Sequence, residues 1–498
     1  MNVVSTTVLL GWLAMLFGLP MISACGAAAD SVDSLQLSGM SRIGVPAADP
    51  GVLRVSTINP RYFTDGSGNA IYLTGSHTWT GLIDRGPTDP PSHFDFPRYL
   101  NLLGNSNHNF VRLWSRHVTR YSSYGMDVLY GAPLPWVRSG PGRALDGKPR
   151  FNLEQFNEEY FSRLRSRVTA AREKGIFVSV MLFGGSVEIS EWAGNPFNRQ
   201  NNINAIDGDL NGDGKGDTQL IPLPVGVDAI QKAYVRKVID TLSDLENVLF
   251  EISNESEYRS LVWQSHLISY IKDYQSERID GIRRKQHPVG ITAFIDQENG
   301  SMSRSAADWI SPGAVSFDTA GEAYISDPPP ADGEKVSILD SDHLFFSLIL
   351  DSPAAGRSWV WKSFLRGHNP ILMENLFEDS TGRAVPATIG DAGFVAARAA
   401  MGQTRRYAEK MNLVAMTPRD DLSSTRYALA NPASEYLVYQ PHSRSFNIKL
   451  SPGTYSYEWF DADIGNVVAN GVVTAHQDES SFTAPFIGDA VLYLKAIK

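Results

Sequence analysis

Residues 227–257 read VDAIQKAYVRKVIDTLSDLENVLFEISNESE, and this stretch contains the repeating unit of most of the chain. Its first part places apolar residues three and four apart, the period of a helix with one buried face. The run NVLFEIS that follows is almost continuously apolar and β-prone, as a strand buried on both faces should be. It ends in Asn254 and Glu255, so that an amide and a carboxylic acid are delivered at a strand tip.

Seven more runs of the same kind lie between residues 55 and 410: AIYLTGS, HNFVRLWS, GIFVSVMLFGG, HPVGITAFI, GAVSFDTA, KVSILDSD and NPILMEN. Amphipathic segments separate them, among them residues 152–175 and 257–278. Strands alternating with helices imply a parallel sheet covered by helices. Eight such units over residues 53–411 predict an α/β fold of the (β/α)8 TIM-barrel type, with a doubly wound sheet as the alternative. The sixth unit departs from the pattern, because Pro328–Pro330 forbid a normal helix after GAVSFDTA. From residue 412 to 498 the period changes to short alternating strands with turn residues between them, which predicts a small all-β sandwich domain.

The composition, 43% hydrophobic and 20% charged over 498 residues, is that of a globular chain with a large core. A net charge of −10 argues against nucleic acid or an anionic membrane surface as partner, since both require positive potential. Residues 1–25, MNVVSTTVLLGWLAMLFGLPMISAC, form an apolar run that reads as an export signal, though without the usual Lys or Arg at its start. Cys25, the one cysteine, follows Ile-Ser-Ala, and this resembles the lipobox at which bacterial lipoproteins are cleaved and lipidated. Cleavage near GAAAD with loss of Cys25, or retention as a membrane anchor, are the other readings, and all three place the body of the protein outside the cytoplasm. Residues 26–52, rich in Ala, Gly, Ser and Pro, read as a linker.

In a barrel, chemistry belongs at the C-terminal ends of the strands. There the sequence places His77 and Trp79 (strand one), Arg112 and Trp114 (strand two), and Asn254 and Glu255 (strand four). Strand seven supplies Asp340, Asp342 and His343, and strand eight Glu374. Two carboxyls facing across such a mouth are what glycosidic cleavage needs, one to protonate the leaving oxygen and one to attack the sugar. Asn254 would donate to the hydroxyl beside the reacting carbon. Each has a plainer reading: Arg112 as partner of a barrel carboxylate, the histidines as satisfied core groups, Trp79 and Trp114 as buried aromatics. Trp359 and Trp361, on a helix, are expected in the core.

The Asn-Glu tip after an Arg-bearing second strand resembles the clan A glycoside hydrolases. More closely, RYFTDGSGNAIYLTGSHTW (61–79), GPGRALDGKPRFNLEQFNEEYFSRLR (140–165) and WVWKSFLRGHNPILM (359–373) are similar to bacterial glycosidases related to the apiosidase-like enzymes. Many of these end in a module described as collagen-binding, which residues 412–498 resemble. The resemblance implies Glu255 as acid/base on strand four and a nucleophile on strand seven. Strand seven offers Asp342 where the clan ordinarily has Glu, so Glu374 and Asp340 stay as alternatives.

DGDLNGDGKGD (207–217) spaces Asp209, Asn211, Asp213 and Asp217 like the first nine positions of an EF-hand loop, with Gly214 at the turn and Leu220 where a Glu usually closes the site. A structural Ca2+ and a plain Asx-Gly turn cluster are the two readings. No cofactor is expected for catalysis, and the sequence lacks GxSxG, HExxH, CxxC and GxxxxGK[ST] patterns. The expectation is an exported, lipid-anchored glycoside hydrolase acting on a poly- or oligosaccharide. Its rivals are a carbohydrate-binding lipoprotein on an inactive barrel, and a peptidase or collagen-binding protein that lacks any supporting motif.

Overall fold

A computed structural model describes residues 51–498 apart from 123–127, 186–188, 257–258, 280–281, 294–297, 314–321, 345–349, 375, 379–383, 387–389, 477–478 and 498. Eight parallel strands close into a barrel: β1 (Gly75–Thr78), β2 (Phe110–Leu113), β3 (Phe177–Phe183), β4 (Val248–Ser253), β5 (Val289–Thr292), β6 (Trp309–Ser311), β7 (Val336–Asp340) and β8 (Asn369–Met373). Each pairs with its neighbours in chain order, and β8 closes on β1. The register sets Arg112 opposite both His77 of β1 and Ser179 of β3, so that three polar side chains reach one level of the barrel.

Helices α1 (Phe96–Asn105), α2 (Glu158–Arg172), α3 (Val227–Leu242), α4 (Leu261–Ser276), α5 (Pro353–Leu365) and α6 (Ala392–Lys410) surround the strands. The lower interior is an apolar plug of Phe110, Leu249, Val336, Ile338, Ile371 and Trp309. Gly290 makes room for it, since a Cβ there would sit 1.9 Å from the Trp309 ring.

Two expectations need correction. The helix read from Asn152 begins at Glu158, capped by the Asn157 side chain, because Pro149–Phe156 pairs with Trp136–Arg143 as a hairpin. Strand six is Trp309–Ser311, ahead of GAVSFDTA, most of which lies outside the described residues. Three residues are too few to leave a period in the sequence. After β6 only Glu322–Ser326 is helical before the proline run among the described residues.

Beyond α6 the strands β9 (Thr417–Pro418), β10 (Ala428–Asn431), β11 (Glu435–Gln440), β12 (Phe446–Ile448), β13 (Gly453–Asp461), β14 (Asn466–Ala475), β15 (Ser480–Phe482) and β16 (Ala490–Ala496) make two antiparallel layers. Six form one sheet in the order β9-β10-β11-β16-β13-β14, and β12 with β15 forms a ribbon over one face, packing Phe446, Ile448 and Phe482 on it. The other face is taken by α5 and α6: Trp361 meets Tyr407 and Tyr439 at ring distances of 5.8 and 6.1 Å. Arg357 of α5 adds bonds to Asp489 (3.0 Å) and Asp463 (2.8 Å). Trp359 and Trp361 are buried in this shared core. Among the described residues no helix is long and apolar enough to cross a membrane. Cys25 and the segments 1–25 and 26–50 lie outside the described residues.

Candidate active site

The polar strand tips converge on Arg112, which is 2% exposed and bonds three acceptors. Its Nε and Nη2 grip Glu251 at 2.6 and 2.5 Å, Nη1 reaches Asp340 at 2.9 Å, and Nη2 also donates to Asn254 Oδ1 at 2.7 Å. Its guanidinium lies 5.0 Å over the Trp114 ring. Trp114 donates its indole N–H to His77 Nδ1 (2.7 Å), so the His77 proton sits on Nε2, where it is given to Asp340 Oδ1 (2.8 Å). Trp79 stands beside this group, tilted against Trp114 and edge-on to Tyr121.

On the other side of the mouth His343 follows β7 on a single 3-10 turn, Ser341–Leu344, with Asp342. His343 Nε2 lies 2.6 Å from Asn254 Oδ1 and Nδ1 lies 3.1 Å from Ser311 Oγ. Burial pushes this imidazole down to about 3, so it is neutral and donates to Asn254. The Asn254 amide nitrogen then faces Asp342 Oδ2 at 3.4 Å.

Reactive atoms of Glu255, Asp342 and His343 all lie within 4.8 Å of one another. Glu255 as a residue is partly exposed, but its Oε1 is buried, and it holds a φ of +36°, a backbone strain tolerated where neighbours dictate it. The backbone packs closely here against Gly185, where a Cβ would be 2.2 Å from the Asn254 carbonyl. Burial, and then repulsion from Asp342 and Asp340, raises the Glu255 carboxyl well above the ordinary range, against the pull of Arg116 and Arg112. Burial and Asp340 lift Asp342 to about 6. Asp340, equally buried, is instead held well below the usual range by His77, His343 and Arg112. The three carboxyls are thus separated: Asp340 is held as an anion, while Glu255 and Asp342 are both biased towards the protonated form.

Glu374 takes a different position. Wholly buried, it bonds Arg398 of α6 at 2.6 Å, and burial raises its carboxyl despite that partner. It follows β8, next to Ser76 and the outer helix, and is not part of the Glu255–Asp342–His343 group.

Sequence reasoning passed over Glu251, although a Glu inside VLFEIS was the available signal, because a buried acid on a barrel strand requires a cation. It also passed over the half-buried Arg116, which meets the buried Glu191 at 2.6 Å. A cleft of about 480 Å3 is lined by Asp84, Trp136, Arg138, Lys148, Phe151 and Arg163 among others, and it includes neither Glu255 nor Asp342.

The loop 207–217 folds on its own side chains. Asp209 accepts from the Gly212 and Gly214 amides (2.8 and 2.9 Å), Asn211 from Asp213 (2.8 Å), and Asp217 from Leu210 (2.8 Å). Gly212, Gly214 and Gly216 have φ of +74°, +82° and +81°. The donor set, three carboxylates and an amide, is of the hard-oxygen kind that suits Ca2+.

A family model described as a domain of unknown function, DUF6298, matches residues 118–283, a stretch that includes β3, β4 and Glu255. No curated protein matches the sequence. In fold the chain is similar to a glycoside hydrolase family 5 protein from Bacteroides vulgatus ATCC 8482, at 13% identity over 90% of this chain and 94% of that one, with a TM-score of 0.59. It is likewise similar to a protein described as a glycoside hydrolase, at 13% identity over 90% and 97% of the two chains, with a TM-score of 0.57. The barrel and its β-module therefore have the fold of glycoside hydrolases.

Proposed function

We propose that the chain hydrolyses O-glycosidic bonds, with Glu255 as acid/base and Asp342 as nucleophile. The observation that carries this reading is the facing pair itself, two carboxyls with oxygens within 4.8 Å at the C-terminal mouth of the barrel. That spacing supports the retaining course, for which roughly 5–5.5 Å is usual, over inversion at about 6.5–9.5 Å. Glu255, whose carboxyl is biased towards the protonated form by its surroundings, gives its proton to the glycosidic oxygen as the C1–O bond breaks. The ionised Asp342 attacks C1 and forms a glycosyl ester. Glu255, now a carboxylate, takes a proton from water, whose oxygen displaces Asp342. Asn254 is placed to donate to the adjacent hydroxyl, where charge develops. Trp79 offers a partly exposed ring to a sugar face.

The apolar N-terminus with Cys25 extends the proposal to an exported, lipid-anchored protein whose substrate is a poly- or oligosaccharide, and the 207–217 loop to a structural Ca2+. The likeness of the barrel motifs to apiosidase-like enzymes is the reason to test furanosides. On aryl glycosides that include furanosides, Glu255→Gln should spare cleavage of activated leaving groups while losing about 10²–10⁴-fold on poor ones. Asp342→Ala should fail on both and regain turnover with azide. Equal loss on both leaving groups for Glu255→Gln would defeat the assignment.

A further inference from the structure

Glu251 touches neither Glu255 nor Asp342 directly, yet it decides how two of their neighbours are held. It is 1% exposed, in the middle of β4, and its oxygens accept from Arg112 Nε, Arg112 Nη2 and Thr292 Oγ1 (2.8 Å), with Ser179 Oγ at 3.5 Å. Resting on the glycosidase reading, we propose that Glu251 is a positioning residue: its two-point grip turns Arg112 so that the guanidinium meets Asn254 Oδ1, which aims the Asn254 N–H at Asp342 and at the sugar.

The two ends of a carboxamide are alike in shape and opposite in role, and only neighbours choose between them. A guanidinium donates and never accepts, so Arg112 Nη2 at 2.7 Å selects Oδ1, and His343 Nε2 at 2.6 Å selects it again. Turned over, the amide would set its N–H against two donors and leave Asp342 without its contact. Arg112 is a long side chain, and what holds its plane is the parallel pair of bonds to Glu251. Loss of that pair frees the guanidinium to rotate towards Asp340 alone, which leaves His343 as the one donor holding Asn254 Oδ1 and loosens the amide.

Charge provides a readout that mere filling of the barrel would not move. Asp342 is faced by Asp340 from β7, Glu255 and Asn254 from the β4 tip, Arg112 from β2, His77 from β1 and His343 beside it. Neutralising Glu251 leaves more of the Arg112 charge acting on this group, so Asp342 should ionise at lower pH.

The experiment compares Glu251→Gln with Arg112→Lys in the full chain. Glu251→Gln should lower kcat by about 10²-fold, the scale expected when a catalytic constellation is misplaced by about 1 Å, with little change in KM. It should also move the acid limb of the pH–rate profile to lower pH. Arg112→Lys keeps the charge but cannot bridge three acceptors, so kcat should fall with the acid limb in place. An arm free of turnover measures how far Asp342→Asn shifts the melting temperature at about pH 7 and about pH 4, once in the otherwise native chain and once in the Glu251→Gln background. The difference between the two pH values should shrink in the second background. Wild-type kcat and profile in Glu251→Gln, or lost stability with an unmoved profile and an unmoved melting difference, would overturn the proposal. Absence of turnover on every glycoside would sink the glycosidase reading, while the melting arm would still decide whether the charge of Glu251 reaches Asp342.

Discussion

Replacing Asp342 by Asn should make the protein more stable and inactive at once. The carboxyl is 5% exposed, and burial together with Asp340 lifts it from 3.8 to about 6. Well below about pH 4 the group is protonated in the folded and unfolded chains alike and costs nothing. Between about pH 4 and 6 the unfolded chain ionises first, so the folded state is penalised increasingly, and above about 6 the penalty is complete. At about 1.4 kcal/mol per pKa unit, the penalty is on the order of 2–3 kcal/mol. Asn preserves the shape and removes the charge. The unfolding entropy is about 2.1 cal/mol/K per residue, or near 1 kcal/mol/K over the roughly 450 residues that follow the linker, so the gain corresponds to about 2–3 °C in Tm. Calorimetry of the two proteins at about pH 7 and about pH 4 provides the assay. The gain should be full at the higher pH and reduced to a small fraction at the lower. A Tm that falls at the higher pH, or that shifts equally at both, would refute the reasoning, because then Asp342 is not held ionised against its surroundings.

Chelation bears on the loop: if Asp209, Asn211, Asp213 and Asp217 hold Ca2+, a chelator lowers Tm and added calcium restores it, since an ion bound only by the folded state stabilises it. Indifference of the melting curve to both would eliminate the site. Cys25→Ser should move the protein from the membrane fraction to the soluble one, as cell fractionation will report. Deletion of residues 412–498 would uncover Trp361 and Tyr407 on α5 and α6, and the truncated barrel should be insoluble; a soluble truncation with an intact far-UV spectrum would contradict the shared core.

The barrel was legible because its signal is local and repeated. Strands such as Val248–Ser253 are buried on both faces and show as apolar runs, and helices such as Val227–Leu242 show the period of one buried stripe. The polar residues at the strand tips could be named in the same way, since a (β/α)8 topology sends every C-terminal end to one face. What the sequence could not decide were relations between strands. Asp342 and Glu374 are both acids at strand ends in the sequence; only the packing shows Asp342 beside Glu255, and Glu374 bonded to Arg398 of the outer helix. Glu251 was overlooked because a pair such as Arg112–Glu251, 139 residues apart along the chain, leaves no periodic trace. The β-module could be recognised as strands, yet nothing in its alternation revealed that helices α5 and α6 occupy one face of its sheet. A buried face reads the same whatever buries it, so the partner of a face, like the partner of a charge, belongs to the tertiary structure.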